Sequence, residues 1–229
     1  LIPMTTDTLK MILEEKEEDF SSKICKDLTL DYLDPKAIDI FRSLWVQKSF
    51  NDSLNNLDNK QLLIDADLMN TQGITYAALI LLGTRKALRD FLPQSEIIFE
   101  YRSSFEPGAA QQRIESTIGF FLIFDELWKT INLRNDLQHY QDAFFVGDVP
   151  TFNEKVIREA ILNAVAHRDY QSNRSIFVIQ YPQKIEIISP GGFPKDVTPT
   201  NIIWNQYPRN RRIAETFVNV ELLNELDKE

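Results

Sequence analysis

Three side chains that can do chemistry recur at a four-residue interval in "REAILNAVAHRDY", residues 158–170: Glu159, Asn163 and His167. Residues four apart on an α-helix advance only about 40° around its axis, so the three form one ridge. A carboxylate and a carboxamide one turn apart both present oxygen. Oxygen donors suit a hydrated divalent cation such as Mg²⁺, which keeps several waters while touching phosphate. The carboxylate can equally orient a water for attack on a phosphoryl group. Structural roles stay open on spacing alone. Glu159 can pair with an arginine, Asn163 can satisfy backbone at a helix–strand join, and His167 can cap the helix end, where the dipole favours a cation. Arg168 and Asp169 follow at once, and Arg168 can either meet a phosphate bidentately or pair with a carboxylate.

The elements that must position this ridge are legible around it. Ile157, Ala160, Ile161, Ala164 and Val165 recur at helical spacing and need a core to pack on. Thr151 and Glu154 have capping-box spacing, which predicts a helix start near Phe152. Beyond Tyr170, "SIFVIQY" and "KIEIIS" predict a hairpin across Pro182-Gln183, and "PGGFP" then breaks regular structure. Gly191 and Gly192 in that break permit positive φ and close backbone approach to a ligand. A further helix is expected from about Asn210.

Upstream, residues 7–20 read as a charged amphipathic stretch, and Asp34-Pro35 as a helix start. That helix should place Ile38, Phe41, Leu44 or Trp45, and Phe50 near one face. "ITYAALILLG" predicts a buried helix ended by Gly83, "TRKALRDFL" a short helix stopping at Pro93, and "EIIFEYR" a strand. The run "RIESTIGFFLIFDELWKTINLR" reads most simply as one core helix, its Phe residues serving packing. "NDLQHYQDAFFVGDVPTFNE" reads as a loop or short extended piece.

Composition limits the function classes. The chain has 229 residues, 43 % hydrophobic and 26 % charged, so a packed core is expected. A single cysteine, Cys25, excludes an intrachain disulfide and a cysteine-based zinc cluster, and His139 and His167 leave little for another transition-metal site. This usage fits a reducing cytoplasm. "YAALILLG" is far short of the roughly 20 residues needed to cross a bilayer, so no membrane partner is expected. A net charge of −9 argues against a broad nucleic-acid face, leaving "PRNRR" with Arg209, Arg211 and Arg212 as the best local basic patch.

The order E-x-x-x-N-A, H-R-D-Y, hairpin, S-P-G-G-F-P and P-R-N-x-x-I-A resembles one family: bacterial and archaeal ATP-binding proteins labelled "divergent AAA" or RecG-like transcriptional regulators. Such proteins look like an N-terminal Schlafen-type AlbA-like domain, a middle region and a divergent GHKL-type ATPase module. The resemblance implies Glu159 as base or water-orienting group and Asn163 as Mg²⁺ ligand. It places His167, Arg168, Asp169, Gly191, Gly192, Arg209 and Asn210 in the family's nucleotide-side strings. It also implies a start inside a longer product. Three departures are visible: Ser189-Pro190 stand where GHKL proteins carry an adenine-binding Asp, no glycine follows Gly192, and no Walker motif occurs.

The expected fold is therefore α+β, in three parts. Residues 1–57 form a helical link, 58–149 a mixed middle region, and 150–229 a two-layer helix-on-sheet GHKL-like module. The expected function is an ATP-binding, Mg²⁺-dependent regulatory module of a cytoplasmic transcriptional regulator, a homo-oligomer whose DNA contacts lie in other domains. The alternative is a non-catalytic structural or dimerisation domain with a degenerate nucleotide site. Weak ATPase activity stays open, and helicase activity has no motif behind it.

Overall fold

Helix starts in the first half follow side-chain caps. Asp34, Asp58, Thr75 and Thr84 each accept a hydrogen bond from a backbone N–H of the following turn, satisfying donors that a helix start leaves unpaired. They open α1 (Pro35–Ser49), α2 (Asn59–Asp65), α3 (Tyr76–Leu82) and α4 (Arg85–Phe91). A short antiparallel pair, β1 (Met69–Asn70) and β2 (Gly73–Ile74), separates α2 from α3. The computed structural model describes residues 19–106, 108–142, 145–192, 208–220 and 222. Most of the amphipathic stretch expected over 7–20, and the last two residues of "PGGFP", lie outside those residues. In α1, Ala37, Ile38 and Phe41 are buried as the spacing requires. Phe50 is not on their face. The helix stops at Ser49, Phe50 turns left-handed at φ 52°, and its ring is 93 % exposed.

The central sheet has the order β4-β3-β7-β8, from β3 (Ile97–Tyr101), β4 (Gln112–Ser116), β7 (Ile176–Tyr181) and β8 (Lys184–Ile188). Only the central pair is parallel, with Phe99 opposite Val178, and both outer pairings are antiparallel. Two expectations need correction. The long core helix does not begin at Arg113. Residues 112–116 form β4, and α5 (Phe120–Asn132) starts only after Gly119. Polar–apolar alternation across Arg113, Ile114 and Glu115 suits a strand, and it is paired residue by residue with β3. The helix-on-sheet layer is also not built from residues 150–229 alone, because β3 and β4 come from 97–116.

A regular hairpin, β5 (Leu137–Asp142) and β6 (Phe145–Pro150), occupies the segment expected to be a loop or short extended piece. The helix α6 (Glu154–Ala166) starts later than the capping-box spacing suggests. Asn153 is its cap, accepting from the Val156 N–H at 3.2 Å, while the Thr151 hydroxyl donates to the Asp136 carbonyl instead. The last helix, α7 (Arg211–Asn219), follows Asn210 as expected. The architecture is α+β. α6 packs on β7 and β8, and α5 packs against α1, α3 and α6. The phenylalanines of α5 are packing groups: Phe121 meets Phe41 of α1 at 5.7 Å, and Phe120 meets Phe217 of α7 at 5.3 Å between ring centroids.

β3 also carries a buried carboxylate. Glu100 is 3 % exposed, and Arg102 and Arg113 both donate to it. Burial opposes its charge, but the two guanidinium groups outweigh burial and hold its pKa below the ordinary carboxylate value. A depressed carboxylate stabilises the fold above the unfolded-state pKa, and that contribution fades as pH falls toward the folded-state pKa. Urea midpoints measured from about pH 7 down to about pH 3 should therefore drop on the acid side, and Glu100→Gln should flatten that limb. An unchanged acid limb in the variant would remove Glu100 from the explanation.

Candidate functional site

α6 presents two kinds of surface. Ile161, Leu162, Ala164, Val165 and Ala166 are buried, while Glu159 and Asn163 are exposed and His167 is half-buried. Neither the Glu159 carboxylate nor the Asn163 amide has a hydrogen-bond or ion-pair partner among the described residues. The structural roles open to them in the sequence are taken by neighbours. Arg158 supplies the helix ion pairs, with Glu154 and with Asp125, both at 2.7 Å. Asn210 and Ser189 bond the carbonyls at the end of the helix: Asn210 Nδ2 reaches Ala166 O at 3.0 Å and Arg168 O at 2.7 Å, and Ser189 Oγ reaches Ala164 O at 2.7 Å. An acid and an amide thus stand unengaged, one turn apart, on an exposed helix face.

His167 is the C-cap residue, its N–H donating to Asn163 O at 2.9 Å. The helix dipole would favour an imidazolium here. Burial and the nearby Arg209 charge act the other way and lower the His167 pKa, which favours the neutral ring near pH 7. The glycine turn is held against this end of the helix. Asp169 N–H donates to Pro190 O at 2.8 Å, and Arg209 reaches Gly192 O at 3.3 Å and the Asp169 carboxylate at 3.6 Å. Gly191 adopts φ +121°, and a Cβ there would sit 3.2 Å from the Asp169 Cβ. That conformation strains any L side chain. Gly192 has open space around its Cα.

Arg168 and Asn210 are buried and bonded to backbone carbonyls. Arg168 is 1 % exposed, and its terminal nitrogens donate to the carbonyls of Gln94, Glu96 and Arg174. It stitches the end of α6 to the entries of β3 and β7, with Tyr170 stacked 5.0 Å from its guanidinium carbon. Asn210 is fully buried and binds the carbonyls named above. Arg168 turns inward directly after His167, and Asn210 is turned inward at the start of α7. Asp169 is also engaged, its Oδ1 accepting from the Gln171 N–H at 2.9 Å. The basic patch is neutralised locally, since Arg211 pairs with Glu215 at 2.7 Å and Arg212 with Asp67 at 2.9 Å.

A small, partly open cavity of about 10 Å³ has Ile80, Ser95, Phe120, Arg168, Tyr170 and Ile176 in its wall. Neither Glu159, Asn163 nor either glycine of the turn lines it. Among the described residues no group of three His, Cys, Asp or Glu side chains could hold a metal ion, and no helix is long and apolar enough to cross a membrane.

Two stretches of the chain match known families. Residues 173–227 match the family described as "Putative ATP-dependent DNA helicase recG C-terminal". Residues 9–98 match a domain of unknown function, DUF8451. No curated protein matches the chain. The crystal structure of the DIP2311 protein from Corynebacterium diphtheriae is similar over 92 % of this chain, with a TM-score of 0.72 and 21 % identity. That likeness shows the fold. The chain spans 42 % of the length of that protein.

Sequence reasoning missed the residues that build the frame of the site. Gln94, whose amide donates to Tyr170 O at 2.8 Å, and Gly119 were not singled out, and Ser189 was noted only as standing in place of an adenine-binding Asp, not as a partner of the helix end. Ser189 stands next to Pro190-Gly191, and a hydroxyl beside a glycine turn is a usable signal for a backbone clamp.

Proposed function

We propose that the chain is the nucleotide-binding regulatory module of a cytoplasmic transcriptional regulator, binding ATP with Mg²⁺ against α6. The observation that carries this reading is the unengaged pair Glu159 and Asn163 on an exposed face of a helix whose end is bound to a Pro-Gly-Gly turn. The match of residues 173–227 to the RecG C-terminal family supports it. In this reading Asn163 ligates the cation and Glu159 orients a water, His167 lies beside the phosphates as a neutral group, and Gly191 and Gly192 let backbone approach the ligand. Mg²⁺ would lower the repulsion between the triphosphate and an acidic protein. Oligomerisation and DNA contacts, the latter through domains outside this chain, would carry the output.

The competing reading is a scaffold or dimerisation domain without nucleotide. Arg168, Asp169 and Asn210 favour it, because each is committed to internal bonds. One titration separates the two. A fluorescent ATP analogue is expected to bind in the presence of Mg²⁺, and Asn163→Ala to weaken that binding by about tenfold or more through loss of one cation ligand. Binding that ignores both Mg²⁺ and Asn163→Ala leaves the scaffold reading standing. Light scattering with and without ATP adds the mass: a dimer indifferent to nucleotide supports the scaffold.

A further inference from the structure

Arg168 is a buried cation that none of the ion pairs among the described residues includes, and its charge rests on carbonyl dipoles and the Tyr170 ring. Its terminal nitrogens are bonded, but the Nε–H, also buried, meets no acceptor among the described residues. A buried donor left unmet costs the desolvation of that group, and a cation's donor costs more than a neutral one. The same side chain lines the cavity of about 10 Å³. That volume is about one water-sized sphere of accessible space, the minimum that holds a single water. Two further polar groups belong to residues of the wall. Ser95 has no side-chain hydrogen bond among the described residues. The Tyr170 hydroxyl donates to Val165 O at 3.2 Å and keeps lone pairs to accept with. The rest of the wall is apolar: Ile80, Ile97, Ile118, Phe120, Val165 and Ile176.

We propose that this cavity is a built hydration site in which one water accepts from Arg168 Nε–H and bridges to the Ser95 and Tyr170 hydroxyls. The water completes the guanidinium's bonding and joins the entry of β3 to the segment after α6. The site is independent of any nucleotide, since no residue of the Glu159–Asn163 ridge contributes to it. Three polar partners match the usual number for a buried water. An apolar cavity of the same size would stay dry, so the assignment rests on the unmet donor and the two hydroxyls and not on volume alone.

A chloride ion is the rival occupant, because a buried guanidinium attracts anions. A crystal structure at a resolution that shows ordered water, collected from crystals grown in chloride and again after exchange into bromide, decides between them. The expected result is one peak about 2.7–3.2 Å from Arg168 Nε with no anomalous signal after bromide exchange. A bromide peak in the cavity, or Arg168 Nε bonded directly to protein with no peak present, overturns the proposal. Oxygen-17 relaxation dispersion in solution gives a second reading. Ser95→Ala should shorten the residence time of one long-lived water about tenfold, the effect of losing one hydrogen bond. An unchanged residence time removes Ser95 from the site and overturns the bridge.

Discussion

Arg168→Met is expected to lower the stability of the chain by about 4 kcal/mol, one of the two largest effects of any single substitution anticipated here. The methionine fills similar volume, so the loss is not mainly a cavity. It comes from three carbonyls, those of Gln94, Glu96 and Arg174, which together lose a charged donor. The Gln94 and Glu96 carbonyls keep the backbone N–H groups of Glu96 and Ile176, so Arg174 O is the one that loses its donor outright. The rest of the loss is the charge-assisted bonds themselves, about 1.5–3 kcal/mol each before relaxation. Arg168→Lys keeps the charge but replaces a planar fork with one ammonium on a flexible stem, and should recover only part of the loss. Urea denaturation followed by tryptophan fluorescence measures both: the midpoints should fall in the order wild type, Lys, Met with slopes unchanged. A Met variant within about 0.5 kcal/mol of wild type would show that the guanidinium is not a structural hub.

Gly119→Ala should cost about 2–4 kcal/mol, for a reason that has nothing to do with glycine's conformational range. Gly119 has φ −50°, open to any residue. The obstacle is space. A Cβ there would stand 2.8 Å from Leu81 O and from Leu82 C, and 3.0 Å from Gly83 N. All three are backbone atoms at the end of α3, and backbone does not swing aside as a side chain tip does. The Gly119 N–H also donates to Gly83 O at 2.8 Å, so the start of α5 and the end of α3 are joined at their closest approach. Gly108→Ala is the control. Its added carbon would meet only Glu106 O at 4.0 Å, so a change within about 0.5 kcal/mol is expected. Equal midpoints for the two variants would show that α3 and α5 can separate without loss.

Patterns that act along the chain were readable in the sequence. The cap at Asp34, the stop at Gly83 and the strands over 97–101, 176–181 and 184–188 follow from local chemistry and period. The ridge itself was readable too, because spacing on a helix fixes which side chains share a line. What spacing cannot give is the direction of the chain after the helix ends. His167 stays at the surface while Arg168 dives beneath it, one residue later, and only the packing of Tyr170 and the carbonyls of β3's entry decide that. Strand β4 was masked by the apolar helix after it, since a five-residue alternation carries little weight beside a thirteen-residue amphipathic run. The hairpin β5–β6 was missed because its strands mix polar and aromatic types without a clear period.

The parallel contact between β3 and β7 has a consequence for the order of assembly. Between Tyr101 and Ile176 the chain runs through β4, α5, a hairpin and α6 before it returns to pair the two central strands. Closing so long an excursion costs entropy that is recovered only when the pair forms. During synthesis from the N-terminus, β3 therefore waits with β4 as its sole sheet neighbour, one edge open, until β7 has left the ribosome.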